Sequence, residues 1–239
     1  MRWNEPVEEL RAYDAYFLPG GFSYQDRIRA GAVAARLPVL DLVARAARPQ
    51  GRRCSESLQR CPDPRRGRAR SDQGTIDAAL TANRVPERSG YYTRWIFLVP
   101  GPAAERCLFT RDLREPLPMP TAHAEGRFWA RGAENVERLE RQTALAFGDA
   151  AGARAETFPA VPNGSHGGAA GVCNAAGNVL ALMPHPDRAL RLAQVPPWLP
   201  GTWGDRRRAA RSASELEHDG PGVAIFRGLA RSLAVEVAR

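Results

Sequence analysis

The sequence predicts a single α/β domain, and three observations carry that reading. An apolar run, Ala15-Tyr16-Phe17-Leu18, is stopped by Pro19-Gly20-Gly21 and followed by a helical pattern, which is the strand, glycine turn and helix of a doubly wound unit. A second strand-like run at 178–183 ends on Pro184-His185-Pro186, again a strand feeding a sharp turn. The chain has 239 residues, 44% of them hydrophobic, enough for one sizeable core.

Taken in order, the helix after the first strand is marked by Ile28, Val33, Leu37, Leu40 and Val43 at helical spacing with alanine between them. Residues 50–73 break the pattern, with almost no apolar periodicity and three arginine-rich clusters. More than 20 structureless residues inside a compact domain is itself anomalous. A strand is expected at 92–99 and a helix at 134–145. A proline- and glycine-rich surface excursion is expected at 196–204, and an amphipathic closing helix from Gly222 onward, carrying Phe226, Leu229 and Leu233. The whole of 1–239 is read as one domain, with 52–73 an aberrant segment and 191–239 a C-terminal excursion plus closing helix.

The charge narrows the function classes. The net charge is +8, but nine arginines against two acids between Arg45 and Arg70 account for nearly all of it. The excess thus belongs to one segment, which the frame disruption set out below accounts for, and no nucleic-acid partner is expected. No run reaches the roughly 18 apolar residues of a membrane helix, and the N-terminus lacks a secretory core, so a cytoplasmic protein is expected. The four cysteines (Cys54, Cys61, Cys107, Cys173) form neither a disulfide scaffold nor a metal-binding pair, and no metal is expected.

Four segments carry chemistry. They are Leu18-Pro19-Gly20-Gly21-Phe22-Ser23-Tyr24; Pro120-Thr121-Ala122-His123-Ala124-Glu125-Gly126-Arg127-Phe128; Pro162-Asn163-Gly164-Ser165; and Met183-Pro184-His185-Pro186-Asp187-Arg188. Singly each has a plain reading: His185 between prolines ends a strand, Asn163-Gly164-Ser165 is a turn, and His123 is a packing or interface residue. In this order and spacing, over roughly residues 3–190, the chain resembles the glutaminase subunits of phosphoribosylformylglycinamidine synthase, class I glutamine amidotransferases of purine synthesis.

The resemblance implies a three-layer, flavodoxin-like amidotransferase domain. In that family a cysteine thiolate on a strand-to-helix elbow attacks the glutamine amide, a histidine acts as base and a nearby acid orients it. By resemblance His185 is the base and Asp187, where the family usually has glutamate, the orienter. Gly20, Gly21 and Phe22 would belong to the oxyanion turn, Asn163, Gly164 and Ser165 would line the substrate site, and His123, Glu125 and Arg127 are candidate interface residues. The implied partners are glutamine, a large synthetase subunit that uses ATP and Mg²⁺, and a small accessory subunit; no cofactor is implied for this subunit itself.

Two departures follow. The family begins with a further strand and helix, so an unpaired sheet edge is expected here. The nucleophile elbow is also missing: the cysteine is expected near Leu58, and the nearest thiols, Cys54 and Cys61, have the wrong neighbours. Pro62 after Cys61 would remove the backbone donor that an elbow needs. One permitted codon choice for residues 58–73, read one base later, gives a stretch that begins Cys-Asn-Gly-Val-Gln-Ile-Leu-Ala-Glu-Ala-Gly-Leu. Residues 53–57 read two bases later give Val-Leu-Gly-Ile. Together these restore the family's elbow, so a frame disruption across 52–73 is expected, with loss of glutaminase activity. A degenerate subunit that only docks on the synthetase is the alternative; another class I amidotransferase fits the second segment less well.

Overall fold

In a computed structural model of the chain, the structure describes residues 13–18, 39–40, 43–44, 53–57, 68–70, 76–85 and 88–237. The strands are β1 (Ala15–Leu18), β2 (Arg53–Ser57), β3 (Arg68–Arg70), β4 (Ile76–Ala82), β5 (Arg84–Val85), β6 (Arg88–Ser89), β7 (Tyr92–Pro100), β8 (Leu117–His123), β9 (Glu125–Trp129), β10 (Thr143–Gly148), β11 (Ala169–Cys173) and β12 (Val179–Leu182). The helices are α1 (Ala133–Gln142), α2 (Gly201–Ala209), α3 (Ala213–Leu216) and α4 (Val223–Val237). Gly20, Gly21, Phe22, Leu58, Cys61 and most of the expected first helix lie outside the described residues; 39–40 and 43–44 are helical.

Seven strands make one mixed sheet in the order β1-β2-β12-β11-β10-β7-β8. The first three are parallel and the rest antiparallel. Among the described residues β1 is an outer strand of this sheet. β3, β4 and β9 form a smaller antiparallel sheet.

The layering follows from the period-two alternation of β12. Leu180 and Leu182 enter one core with Leu98, Phe109, Leu117, Leu145, Phe147 and Ile225 of α4. Ala181 and Met183 enter a second core with Phe128, Ala169 and Leu139 of α1. The sheet is thus covered on both faces, the three-layer α/β arrangement that the resemblance implied.

Two expectations are corrected. The helix expected to run to residue 145 stops at Gln142, because Thr143 turns extended and Thr143–Gly148 is buried throughout as β10, between β7 and β11. Alternating apolar residues in a short run fit either period, and burial in the sheet decides. The excursion at 196–204 is not confined to the surface: Leu192, Val195, Leu199 and Trp203 form a small core of their own, against Trp95 and Phe97. Among the described residues no helix is long and apolar enough to cross a membrane.

Candidate functional site

The three parallel strands end together. Leu18 of β1 lies opposite Glu56, and Ser57, the last residue of β2, lies opposite Leu182 of β12. The motif-bearing turns after β1 and β12, and the position where the nucleophile is expected after β2, therefore leave the sheet at the same end, where open α/β sheets bind ligands. Cys54 is at the other end of β2, opposite Tyr16 and Val179.

Beyond β12, Pro186–Arg188 closes a 3-10 turn with a proline in its first turn, where a missing N–H costs nothing. Its backbone is pinned: the His185 amide donates to the Pro120 carbonyl of β8 at 2.8 Å, and the Arg188 amide to the His185 carbonyl at 3.2 Å. The His185 side chain is nearly buried and Asp187 is half-exposed, with Nδ1 of the imidazole 3.4 Å from Oδ1 of the carboxylate. The neighbouring imidazole is the largest influence holding the Asp187 carboxyl below its ordinary range. An ionised carboxylate only accepts, so a proton shared across this contact sits on Nδ1, on the side of the ring away from Nε2. A histidine beside a carboxylate is the arrangement that a base and its orienter need.

β8 carries the second motif alongside. His123 is 4% exposed, which removes it from the residues that meet a partner; Glu125 and Arg127 are half-buried. The reason is the Asn83 carboxamide. Its Nδ2 donates to the carbonyls of His123 (2.6 Å) and Gly90 (3.0 Å). Its Oδ1 accepts from the Gly126 amide at 3.1 Å and lies 3.0 Å from His123 Nδ1. The backbone groups fix the amide's orientation, so Nδ1 carries the proton and Nε2, buried with no hydrogen-bond partner among the described residues, carries the lone pair. Burial first, and the charge of His185 second, lower the His123 pKa to about 4. Gly126 is required here because a Cβ would lie 2.3 Å from the imidazole.

The Asn163-Gly164-Ser165 segment binds β9. Asn163 Nδ2 donates to the Gly126 carbonyl (2.7 Å) and its Oδ1 accepts from the Ser165 amide (3.0 Å). Arg127 Nε donates to the Gly164 carbonyl (2.9 Å), and Ser165 Oγ accepts from the Phe128 amide (3.0 Å). Asn163 and Ser165 are buried and engaged within the chain. Asn83, forty residues from His123, and the Pro120 carbonyl were invisible as site components in the sequence, since no local pattern reports a contact of that range.

A nucleophile for His185 is not found among the described residues. Cys107 and Cys173 are free and buried, but Cys173 lies opposite Leu180, with Gly171 opposite Leu182. Cys173 therefore sits two positions further than Gly171 from the end of β12 that leads to His185.

Comparison with known proteins follows the same lines. The family model for the CobB/CobQ-like glutamine amidotransferase domain matches residues 69–228. Phosphoribosylformylglycinamidine synthase subunit PurQ of Methanothrix thermoacetophila is 37% identical over 216 residues, covering 84% of this chain and 81% of that protein. PurQ of Methanosarcina mazei is 36% identical over 185 residues, covering 76% and 74%, and PurQ of Pyrococcus furiosus 32% over 182 residues, with the same coverage. The solved structure of PurLQS from Thermotoga maritima superposes with a TM-score of 0.58 at 24% identity, over 92% of this chain and 80% of that one, and speaks for the fold. The chain belongs to the PurQ family of class I glutamine amidotransferases, the glutaminase subunits of phosphoribosylformylglycinamidine synthase.

Proposed function

We propose that this chain is a glutaminase subunit of purine biosynthesis whose catalytic centre is built on the ends of β1, β2 and β12. The observation that carries the reading is the His185–Asp187 contact at 3.4 Å, next to the end of β2. In the intact mechanism a thiolate after β2 attacks the side-chain carbonyl of glutamine, giving glutamate and ammonia. His185 Nε2 takes the thiol proton and returns it to the departing amine. Gly20 and Gly21 stabilise the oxyanion, and Asn163–Ser165 shape the substrate side through β9. The ammonia passes to a large synthetase subunit that uses ATP and Mg²⁺; this subunit needs no cofactor of its own and works in the cytoplasm. That the Thermotoga maritima structure is a PurLQS assembly supports association of this chain with further subunits.

As written, the chain is silent in glutamine hydrolysis, because no thiol follows β2 in a competent setting. The position of β2 supports this. It is paired on both sides, to β1 and β12, and inner parallel strands ordinarily read as continuous apolar runs. Arg53-Cys54-Ser55-Glu56-Ser57 does not, whereas the shifted frame's Val-Leu-Gly-Ile does. The same observation favours, as second reading, a docking subunit without catalysis.

The test is glutamate release from glutamine with the synthetase partner and ATP present. The expected result is no turnover by the chain as written, and turnover once residues 52–73 are replaced by the in-frame elbow. Turnover by the unaltered chain would overturn the silence; none after replacement would overturn the site. Co-purification with the synthetase in the absence of turnover supports docking.

A further inference from the structure

A cavity of about 340 Å³ opens between α4 and the segment leading into β8, with Trp203 and Arg206 of α2 in its wall. Ala224, Arg227, Gly228 and Arg231 recur at helical spacing, so α4 gives the cavity one face, on which the two small residues leave room beside the two arginines. Arg114, Arg206, Arg227 and Arg231 line it together with Asp112 and Glu115, a surplus of two positive charges. An open groove of about 830 Å³ shares Trp203, Arg206 and Arg227, and adds the carboxylates of Glu215, Glu217 and Asp219. Two arginines thus belong at once to a basic cavity and to an acidic groove.

The guanidinium groups are held, but loosely. Arg206 lies over the Trp203 ring, 4.5 Å from its centroid, and pairs with Glu115 at 3.1 Å. Arg231 stands 3.4 Å from Asp112, and Arg227 pairs with Asp219. The side chains of Arg227 and Arg231 are 59% and 65% exposed, and ion pairs so exposed contribute little. A phosphate dianion offers a guanidinium two oxygens in its own fork geometry and more charge than one carboxylate, so it competes well for these arginines. Trp203 adds a donor: it is nine-tenths buried, and its Nε1 has no hydrogen-bond partner among the described residues. In the groove, Glu217 pairs with Arg191 at 2.7 Å and Asp219 with Arg227. Each ionised carboxylate keeps further lone pairs for hydroxyl donors, the way an acidic side chain holds a ribose.

We propose that the cavity and groove form one binding site for a phosphorylated sugar. Arg206, Arg227 and Arg231 hold the phosphate monoester, and Glu217 and Asp219 accept from the sugar hydroxyls. The cavity is of the size that small-molecule sites have. Binding makes and breaks no covalent bond. The site uses no residue of the amidotransferase centre proposed above and does not depend on that reading.

The test titrates the full chain with ribose 5-phosphate by isothermal calorimetry, with inorganic phosphate and ribose as comparison ligands. Saturable binding of ribose 5-phosphate is expected, about tenfold tighter than that of inorganic phosphate, because hydroxyl–carboxylate bonds add to the phosphate contacts. Arg227→Gln and Arg231→Gln should each weaken it by at least about tenfold, the loss of one charge-assisted contact. Both variants should melt as the wild type does, since the pairs they lose are exposed. Arg141→Gln removes an equally exposed arginine, paired with Glu137 on α1, and should leave binding unchanged; this separates a built site from attraction to the net charge of +8. No saturable binding of ribose 5-phosphate would overturn the proposal. So would equal affinity for inorganic phosphate, binding that Arg227→Gln and Arg231→Gln leave intact, or an Arg141→Gln variant weakened as much as they are.

Discussion

Replacing Asn83 with alanine removes a carboxamide that makes two donated and two accepted contacts within 3.1 Å, to Gly90, His123 and Gly126. Asn83 is 4% exposed, so water does not replace these partners. At about 1 kcal/mol for each net bond, with a further penalty for stranding the Gly126 N–H and His123 Nδ1–H, the loss is about 4 kcal/mol. For a chain of this size each kcal/mol moves the melting temperature by about 2–4 °C, so a fall of roughly 8–16 °C is expected. Circular dichroism melts of the wild type and Asn83→Ala measure it directly. Asn83→Asp separates the two halves of the network: it keeps the acceptor facing Gly126 and His123, loses both donors, and adds a charge that raises the His123 pKa. An Asn83→Ala melt within about 2 °C of wild type would refute the argument that this network, and not the surrounding packing, holds His123.

Three further outcomes follow from the same geometry. His123 binds its proton less readily when folded, with its pKa at about 4 against 6.5 unfolded. The unfolded chain therefore takes up more protons between those values, and stability present above pH 6.5 falls by about 3 kcal/mol as pH drops towards 4; His123→Gln should flatten that slope in denaturant titrations followed over pH. Gly126→Ala places a Cβ at 2.3 Å from the imidazole and should cost about 2–3 kcal/mol by overpacking, read as a lower urea midpoint. In the elbow-restored chain, His185→Asn should cut kcat/KM for glutamine by at least about 100-fold while the melting curve stays put, as loss of a general base does.

Some elements were legible because one local cause forms them. β1 occupies Ala15–Leu18 as the apolar run predicted, β12 lies within 178–183, and β7 runs from Tyr92 to Pro100. The pairing of His185 with Asp187 came from the family resemblance; the two stand 3.4 Å apart across a proline turn whose backbone Pro120 of β8 holds. Other strands were not. β8, Leu-Pro-Met-Pro-Thr-Ala-His, carries two prolines, which an outer strand tolerates but a propensity reading does not credit. β11, Ala-Ala-Gly-Val-Cys, is small because it is packed between β10 and β12, a tertiary cause. The Asn83–His123 pair spans 40 positions, and nothing near either residue announces its partner.

β2 is where local sequence and fold conflict most, and the conflict is measurable. Its neighbour β12 buries Leu180 and Leu182 on one face and Ala181 on the other, where Met183 follows, so both sides of the sheet are apolar beside it. A strand there gains about 1.5–3 kcal/mol for each large aliphatic side chain it buries, while charged side chains in such a setting are costly unless paired. The in-frame Val-Leu-Gly-Ile offers three aliphatic side chains in place of a stretch holding Arg53 and Glu56. Replacing residues 52–73 by the in-frame elbow should therefore stabilise the chain by several kcal/mol, before any glutamine is bound. Urea unfolding of both chains decides the matter: a midpoint unchanged or lowered by the replacement would mean that β2 tolerates its polar sequence, and the frame argument would lose its structural support.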